Sequence, residues 1–331
     1  MSKLTAADGF VDTPGVPNAT VGENLTGRPT ARNACALLPR EPGVYRFRDG
    51  AGRVMYIGRA TDLRSRTRSY WGELKGRRRL RRMVPQIARV EAIVCGSVHE
   101  AAWLERNLLE RSKPRWNRVR GGLEVPRWLV VDAEPARPGL RLAHEPEPGR
   151  PTFGPYLGGD RSRAALRAIL RVWPLHLTGA RSTGAERAMA EARGVGPGDR
   201  ERILADVVAL LSRDRAATDR LTTRLLEARD DAVGGLMFET AQQVHDELAA
   251  VAWLVSVQRM TATHPADLVI RGWADGQLIS LSGTATQLNR WDVRSVGEQR
   301  GQALTELTPP DWREFATTNA TLAAALQRAQ Q

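Results

Sequence analysis

The chain has 331 residues and a formal net charge of +12, a length that allows two or three domains with hydrophobic cores of their own. Its two cysteines, Cys35 and Cys95, exclude a disulfide framework and the cysteine spacing of a zinc site. The sequence has no signal peptide and no apolar run long enough to span a membrane. We therefore expect a cytoplasmic protein that does not bind membranes.

The positive charge is concentrated in one part of the chain. Residues 40–120 contain 21 Lys and Arg but 8 Asp and Glu, and the other 250 residues carry a net charge of −1. A charge excess confined to one region is typical of a site for a polyanion such as nucleic acid. The alternative is a solvated basic surface without a ligand.

The hydrophobic pattern predicts an α+β protein. A small β-β-α-α-β-α domain is followed by a mostly helical region with an antiparallel helical hairpin, and then by a small C-terminal α/β extension. A Gly-, Pro- and Thr-rich start predicts a disordered tail. The predicted boundaries are 1–36 for the tail, 37–122 for the small domain, 123–200 for an appendage, 201–262 for the hairpin and 263–331 for the extension.

Two tyrosines lie on the first predicted hairpin, in the strands GVYRF and RVMYIG. Tyr45 and Tyr56 are thus expected on neighbouring strands, where tyrosines usually pack as core residues or cross-strand pairs. The alternative is chemical. Nearby arginines would favour the phenolate and lower the pKa of the phenol, which suits a general base acting on water.

The next helix places a cation on its inward face. Leu63, Arg66 and Tyr70 are spaced i, i+3, i+7 in DLRSRTRSYW, so Arg66 and Tyr70 are expected to lie side by side. An inward guanidinium in a basic segment is suited to holding a phosphate. Alternatively, its methylenes pack while the charged head reaches water.

A carboxylate is predicted on the apolar face of the last helix of this domain. Glu105 shares that face with Ala101 and Leu108, where a charge is costly unless it is paired or bound to a metal. An ordinary ion pair with an arginine is one interpretation. The other combines Glu105 with the arginine and the tyrosines in metal-assisted hydrolysis of a phosphodiester.

These segments resemble a known family. Gly43-Val44-Tyr45 and Tyr56-Ile57-Gly58 resemble the signature of GIY-YIG nucleases. The stretches GRATDLRSRTRSYW and EAAWLERNLLERSKPRWN resemble the UvrC branch, the incision subunit of bacterial nucleotide excision repair. The resemblance covers residues 37–260. It includes one of the family's two nuclease domains and neither its RNase H-like domain nor its helix-hairpin-helix motifs, as in shortened Cho-type homologues.

The resemblance implies roles for the aromatic and basic residues. Tyr56 would activate the attacking water, with Tyr45 beside it as an orienting or alternative base. Arg66 would bind the scissile phosphate, and Tyr70 would support that arrangement. The surrounding arginines would bind DNA, namely Arg64, Arg68, Arg77, Arg78 and Arg79.

The resemblance also implies a metal site. Glu105 would be the sole protein ligand of one Mg²⁺ or Mn²⁺, and Asn117 would fix the site geometry from beyond the helix. Gly58 would be the packing glycine. Arg59 stands where UvrC-like proteins usually have lysine, and we assign it to catalysis and phosphate binding, although arginine cannot shuttle a proton.

The predicted hairpin, through its stretch GLMFETAQQVHDEL, resembles a UVR motif, through which UvrC engages UvrB. Its predicted partner-binding residues are Phe238, Ala241, Val244 and Leu248. By pattern alone, homodimerisation or scaffold packing would fit equally.

The function implied is a structure-selective endonuclease. It would make one incision, on the 3′ side, in damaged duplex DNA under the direction of UvrB, without a small-molecule cofactor. The alternatives are a non-catalytic module that binds UvrB or DNA, and a GIY-YIG nuclease of another pathway.

Overall fold

The computed structural model describes residues 29–72, 78–117, 125–261, 268–284 and 287–331. They form three units: the N-terminal unit (29–117), the middle unit (125–261) and the C-terminal unit (268–331). Each unit contains one three-stranded sheet in which all paired strands are antiparallel. The predicted α+β class and the order of its parts are confirmed.

The N-terminal unit contains α1 (Pro29–Ala34), β1 (Gly43–Arg48), β2 (Val54–Ala60), α2 (Leu63–Arg68), α3 (Arg78–Met83), β3 (Arg89–Val94) and α4 (Val98–Ser112). Its strand order is β2-β1-β3. The β1–β2 turn closes because the Asp49 carboxylate accepts hydrogen bonds from the backbone N–H groups of Ala51 and Arg53 at 3.0 and 2.9 Å, as short polar side chains do in turns. Gly52 in this turn has a φ of 78°, a conformation that favours glycine.

Short polar side chains also fix the starts of the two helices that carry site residues. The Asp62 carboxylate accepts from the N–H of Ser65 at 2.8 Å at the start of α2. The Ser97 hydroxyl accepts from the N–H of Glu100 at 3.0 Å at the start of α4. These N-caps satisfy backbone donors that a helix leaves unpaired, so the orientation of each first turn is set locally.

The predicted disordered tail, 1–36, is wrong in the part that the structure describes. Residues Pro29–Ala34 form α1, and Ala31, Ala34 and Cys35 are fully buried in a core that also contains Tyr45. Small alanines give a weak apolar signal within a Gly- and Pro-rich segment, and this concealed the helix. Residues 1–28 lie outside the described residues.

The middle unit contains β4 (Arg127–Asp132), β5 (Gly139–Ala143), β6 (Thr152–Tyr156), α5 (Gly159–Val172), α6 (Gly184–Ala192), α7 (Arg200–Leu211), α8 (Arg215–Gly234) and α9 (Phe238–Leu254). The α8–α9 pair is the predicted hairpin, with its break at the predicted glycines. One core joins the sheet, α5 and the hairpin through Leu129, Ile169, Leu225 and Val251. The predicted boundary at residue 200 therefore does not separate two cores.

The C-terminal unit contains β7 (Leu268–Ala274), β8 (Gln277–Thr284), β9 (Gln287–Ser295), α10 (Glu298–Glu306) and α11 (Pro310–Arg328). It covers one side of the N-terminal unit, and a single core includes Val44 and Leu104 together with Leu281 and Phe315. Burial of such side chains away from water is the main stabilising contribution to an interface of this kind. The extension, whose role could not be predicted from its residues, is thus packed against the domain that contains the tyrosines.

Polar contacts reinforce that interface. The guanidinium of Arg46 pairs with Glu91 and donates to the carbonyl of Trp291 at 2.7 Å. Its central carbon lies 3.9 Å from the centroid of the Trp291 ring.

No helix in the described part of the chain combines the length and the hydrophobicity needed to cross a bilayer.

Candidate active site

The phenols of β1 and β2 lie together on one face of the first sheet. The register pairs Tyr45 with Gly58 and Phe47 with Tyr56, and the ring centroids of Tyr45 and Tyr56 are 6.2 Å apart. A side chain at position 58 would place its Cβ 2.6 Å from the hydroxyl oxygen of Tyr45. Only glycine leaves this space free, which supports the packing role expected for Gly58.

A third phenol completes this group. Tyr70 lies in a 3₁₀ turn (Ser69–Trp71) directly after α2, and its hydroxyl is 2.7 Å from that of Tyr45. Its ring centroid is 5.9 Å from that of Tyr56. The structure therefore brings together the three tyrosines predicted from separate segments.

Arg66 reaches the same group from α2. Its guanidinium carbon is 5.5 Å from the centroid of the Tyr70 ring, and Tyr45 lies close enough to interact with it electrostatically. Partial burial alone would lower the pKa of Arg66, but the oxygens of Tyr45, Tyr70 and Tyr56 more than offset it, and the pKa is raised. A charged guanidinium is thus held where it can bind an anion.

The expectation that arginines lower the pKa of the strand phenols is wrong for Tyr45, and Tyr70 shows the same upward shift. Both are buried, at 0% and 2% exposure, and desolvation raises the pKa of each far above its ordinary value. Burial disfavours the phenolate more than the nearby cation favours it. Tyr56 is only half-buried, so it is the phenol of the three that solvent reaches.

Glu105 projects from α4 to the edge of β2. One carboxylate oxygen accepts a hydrogen bond from the backbone N–H of Arg59 at 3.1 Å, and the other is 3.4 Å from Nε of the same arginine. The Glu105 side chain keeps 21% of its exposure. Glu105 therefore forms the ion pair with an arginine that was one of the two interpretations, while part of its side chain remains accessible to solvent.

The donor set fits a magnesium-type cation. Within the described residues there is no cluster of three or more His, Cys, Asp and Glu side chains that could hold a metal. Zinc sites usually need such a cluster. Mg²⁺ keeps several waters and is commonly bound by one or two carboxylates together with substrate phosphates, so a single accessible Glu105 suits it.

Asn117 closes the same edge of β2. Its Oδ1 accepts from the N–H of Ile57 at 3.1 Å, and its Nδ2 donates to the carbonyl of Ile57 at 2.7 Å. The N–H of Trp116 donates to the carbonyl of Met55 at 3.0 Å. The segment after α4 thus runs beside Tyr56 and holds the strand that carries it, as expected for a residue that fixes the geometry.

The arginines predicted to bind DNA have different environments. Arg68, Arg78 and Arg79 are exposed. Arg64 is partly buried and its Nε donates to the carbonyl of Leu38 at 2.6 Å, so part of its bonding capacity fixes the loop before β1. Arg77 lies outside the described residues.

Most of the predicted partner-binding residues do not lie on an exposed surface. Ala241 and Val244 are 8% and 0% exposed and face the chain's own core, and Leu248 packs against that core. Only Phe238, at 64% exposure, is available to a partner. An apolar stripe predicts that a helix face is buried, but it does not predict by what.

Three features near the site were not predicted. Trp116 and Arg115 lie directly before Asn117, within the quoted stretch SKPRWN, where the mix of cations and an aromatic ring was the available signal. Glu100 on α4 is fully buried and accepts from the N–H and Nε of Arg259 at 2.8 and 3.2 Å. No local pattern links residues so far apart in sequence.

Comparison with known proteins identifies the segment that holds this site. Residues 41–118 match the family model described as the UvrC-like GIY-YIG domain. The chain is similar to the UvrABC system protein C of Mycolicibacterium vanbaalenii, at 32% identity over 269 residues. The corresponding protein of Mycobacterium tuberculosis is 31% identical over 276 residues.

These matches cover part of each protein. They span 75% of this chain but 39% and 41% of the two relatives. Among solved structures, the chain is similar to the GIY-YIG N-terminal endonuclease domain of UvrC from Thermotoga maritima, bound to magnesium. That match has 34% identity and a TM-score of 0.26 and covers 27% of this chain and 98% of that one.

Proposed function

Since residues 41–118 form a UvrC-like GIY-YIG domain, we propose that the chain is a DNA endonuclease that depends on a divalent cation. One observation carries the proposal: a continuous set of contacts runs from Arg66 to Tyr70, which bonds with Tyr45, then to Tyr56, and along β2 to Glu105. An anion-binding cation, a solvent-reached phenol and an accessible carboxylate are the groups that phosphodiester hydrolysis requires.

Each side chain has a task in this reaction. Tyr56, in its phenolate form, accepts a proton from the attacking water, whose oxygen forms a bond to phosphorus while the bond from phosphorus to the leaving sugar oxygen breaks. The leaving oxygen takes a proton from solvent water, and Tyr56 returns its proton to solvent. Arg66 binds the phosphate oxygens and offsets their developing charge. Tyr45 and Tyr70 stay neutral, because burial raises the pKa of both, and they orient Arg66 and Tyr56.

Glu105 would hold the cation, Mg²⁺ or Mn²⁺, which when bound supplies Lewis-acid stabilisation of the phosphate and the leaving oxygen. Arg59 holds the carboxylate at the edge of β2. When Glu105 also binds the cation, the guanidinium of Arg59 can take up its second task and bind phosphate. Asn117 holds β2 at Ile57, the residue directly after Tyr56.

The pathway follows from the relatives. The similar proteins bear the name UvrABC system protein C, which supports a role in excision repair with UvrB as a partner and damaged duplex DNA as the substrate. We assign a single incision on the 3′ side to the one GIY-YIG domain. A DNA substrate is consistent with the cytoplasmic location that we propose.

The partner surface is the tip of the α8–α9 hairpin. Four neighbouring apolar residues are exposed there: Val233, Leu236, Met237 and Phe238, with Leu236 at 74% and Phe238 at 64% exposure. Exposed apolar side chains gathered at one place are typical of protein interaction sites. This tip replaces the set of inward-facing residues that the sequence suggested.

The experiment is a nicking assay on a lesion-containing duplex with UvrB and Mg²⁺. We expect the native chain to make one nick and Glu105→Gln to slow it by about 10²–10³-fold. Glu110→Gln is the matched control, since Glu110 lies on the same helix, is exposed and pairs with Arg106.

The outcomes separate the alternatives. Equal cutting by Glu105→Gln and the native chain would refute the assigned site. Binding without cutting would indicate the non-catalytic module. Cutting at a fixed sequence without UvrB would indicate a nuclease of another pathway.

A further inference from the structure

Two arginines share one indole beside the candidate active site. The guanidinium carbons of Arg79 and Arg115 lie 6.0 and 5.5 Å from the centroid of the Trp116 ring. Arg79 also donates from Nη2 to the carbonyl of Arg115 at 2.8 Å. Contacts of a guanidinium with an indole restrict its rotamers and are most favourable with tryptophan, so both cations are held in place.

This cluster is tied to the catalytic strand. The N–H of Trp116 bonds to the carbonyl of Met55, and the Asn117 amide bonds to Ile57. These two attachments bracket Tyr56 along β2. Tyr56 and Trp116 also pack against the same core, so the cluster adjoins the phenol that we assign to water activation.

Acids of the described residues do not balance the charge of the cluster. None of those carboxylates lies within ion-pair distance of Arg79 or Arg115, or of the other arginines of α3 (Arg78, Arg81 and Arg82). Both arginines of the cluster are exposed. Holding like charges together without a counter-ion is unfavourable, which a bound polyanion would reverse.

We infer that Arg79, Trp116 and Arg115 form a second phosphate-binding subsite that contacts the DNA strand next to the scissile phosphate. Trp116 acts as a positioning residue, since it orients both guanidinium groups and links them to β2. The inference rests on the proposed function for its substrate, because it concerns where the same strand is held. It adds a strand contact that Arg66 and Glu105 do not provide.

The test is salt-dependent binding of a fluorescein-labelled duplex, measured by anisotropy in the catalytically impaired Glu105→Gln chain. Each phosphate contact contributes about 0.9 to the slope of log K against log salt. We expect the double variant Arg79→Ala/Arg115→Ala to lower that slope by about 2. Trp116→Leu should lower it partly, and Trp116→Phe should restore most of the loss.

Arg89→Ala is the control, since Arg89 is exposed on β3, away from Trp116. A slope unchanged in the double variant, or lowered equally by Arg89→Ala, would overturn the inference, as would the absence of binding at low salt. When Glu105 is retained, the double variant Arg79→Ala/Arg115→Ala should cut DNA with a raised KM and a nearly unchanged kcat.

These results are distinguishable from failure of the proposed function. If the native chain binds DNA with the expected slope changes but never cuts, the subsite stands and the nuclease assignment fails. If it cuts and Glu105→Gln does not, while the slopes stay equal, the nuclease assignment stands and the subsite fails.

Discussion

The two edges of the N-terminal sheet are closed by the same chemistry, yet only one lies at the candidate active site. At the β2 edge the Asn117 amide pairs with both backbone groups of Ile57. At the β3 edge the Asn319 amide does the same for Val94, at 2.7 and 3.1 Å. Gln330 repeats the pairing at Val90, at 2.6 and 3.0 Å. Exposed strand edges are prone to unwanted pairing, and side-chain amides prevent it here.

The edges differ in what lies beside the amide. Asn319 is 1% exposed and lies beneath the C-terminal unit, whereas Asn117 is half-buried and lies near an accessible carboxylate. The helix α4 shows the same contrast. Glu100 is fully buried against Arg259, whereas Glu105, five residues later, keeps 21% of its side-chain exposure. Solvent access, rather than the hydrogen-bond pattern, distinguishes the edge at the candidate active site from the structural edge.

The comparison predicts opposite effects at the two edges, and the largest should occur beside β2. Arg66→Ala should reduce nicking by about 10²–10³-fold, because it removes the cation that stabilises the phosphate. Thermal unfolding should change little, since Arg66 is only partly buried. Arg66→Lys keeps the charge without the bidentate fork and should be intermediate. Native activity in Arg66→Ala would remove this residue from the mechanism.

A matched pair of asparagine variants tests the comparison directly. Asn319→Leu leaves the N–H and carbonyl of Val94 without partners, at a cost of about 1–3 kcal/mol for each buried group. Urea denaturation should show that loss, while kcat per folded molecule stays the same. Asn117→Leu should reduce kcat more strongly than Asn319→Leu does, because β2 carries Tyr56. If both variants lose stability but keep the native kcat, the β2 edge has no special role in catalysis.

The sequence was sufficient for the first β-hairpin, for α2 and α4 and for the α8–α9 hairpin, but not for α1. It also predicted that the candidate site residues of α2, β1 and β2 lie close together. Regular spacing placed Arg66 and Tyr70 on one helix face, and alternation with a DG turn placed the two strand tyrosines together. It was not sufficient for Asn319, because nothing local signals a contact with Val94, 225 positions away. It also misjudged the phenol pKa values, because desolvation depends on the packing of α1 and Tyr70 around Tyr45.

The smallest expected effect is on stability and concerns the first turn of α4, which is buried like the β3 edge. His99 is 0% exposed, and its ring lies 5.6 Å from the Tyr156 ring and 5.1 Å from that of Trp253. Burial lowers the pKa of His99 to about 3, with smaller contributions from the positive charges of Arg213 and Arg59.

The sign of the pH dependence follows from this shift. Unfolded histidine has a pKa of about 6.5. Below that pH the unfolded chain therefore binds a proton at His99 that the folded chain does not bind. Stability should be complete above about pH 6.5 and fall by up to about 1.4 kcal/mol per pH unit as the pH decreases towards 3. His99→Phe should flatten the profile between about pH 6.5 and 5, before most carboxylates titrate. His245→Phe, at an exposed position on α9, should keep the native slope. Equal slopes in native and His99→Phe chains would show that the first turn of α4 opens to water and is not locked against the middle unit.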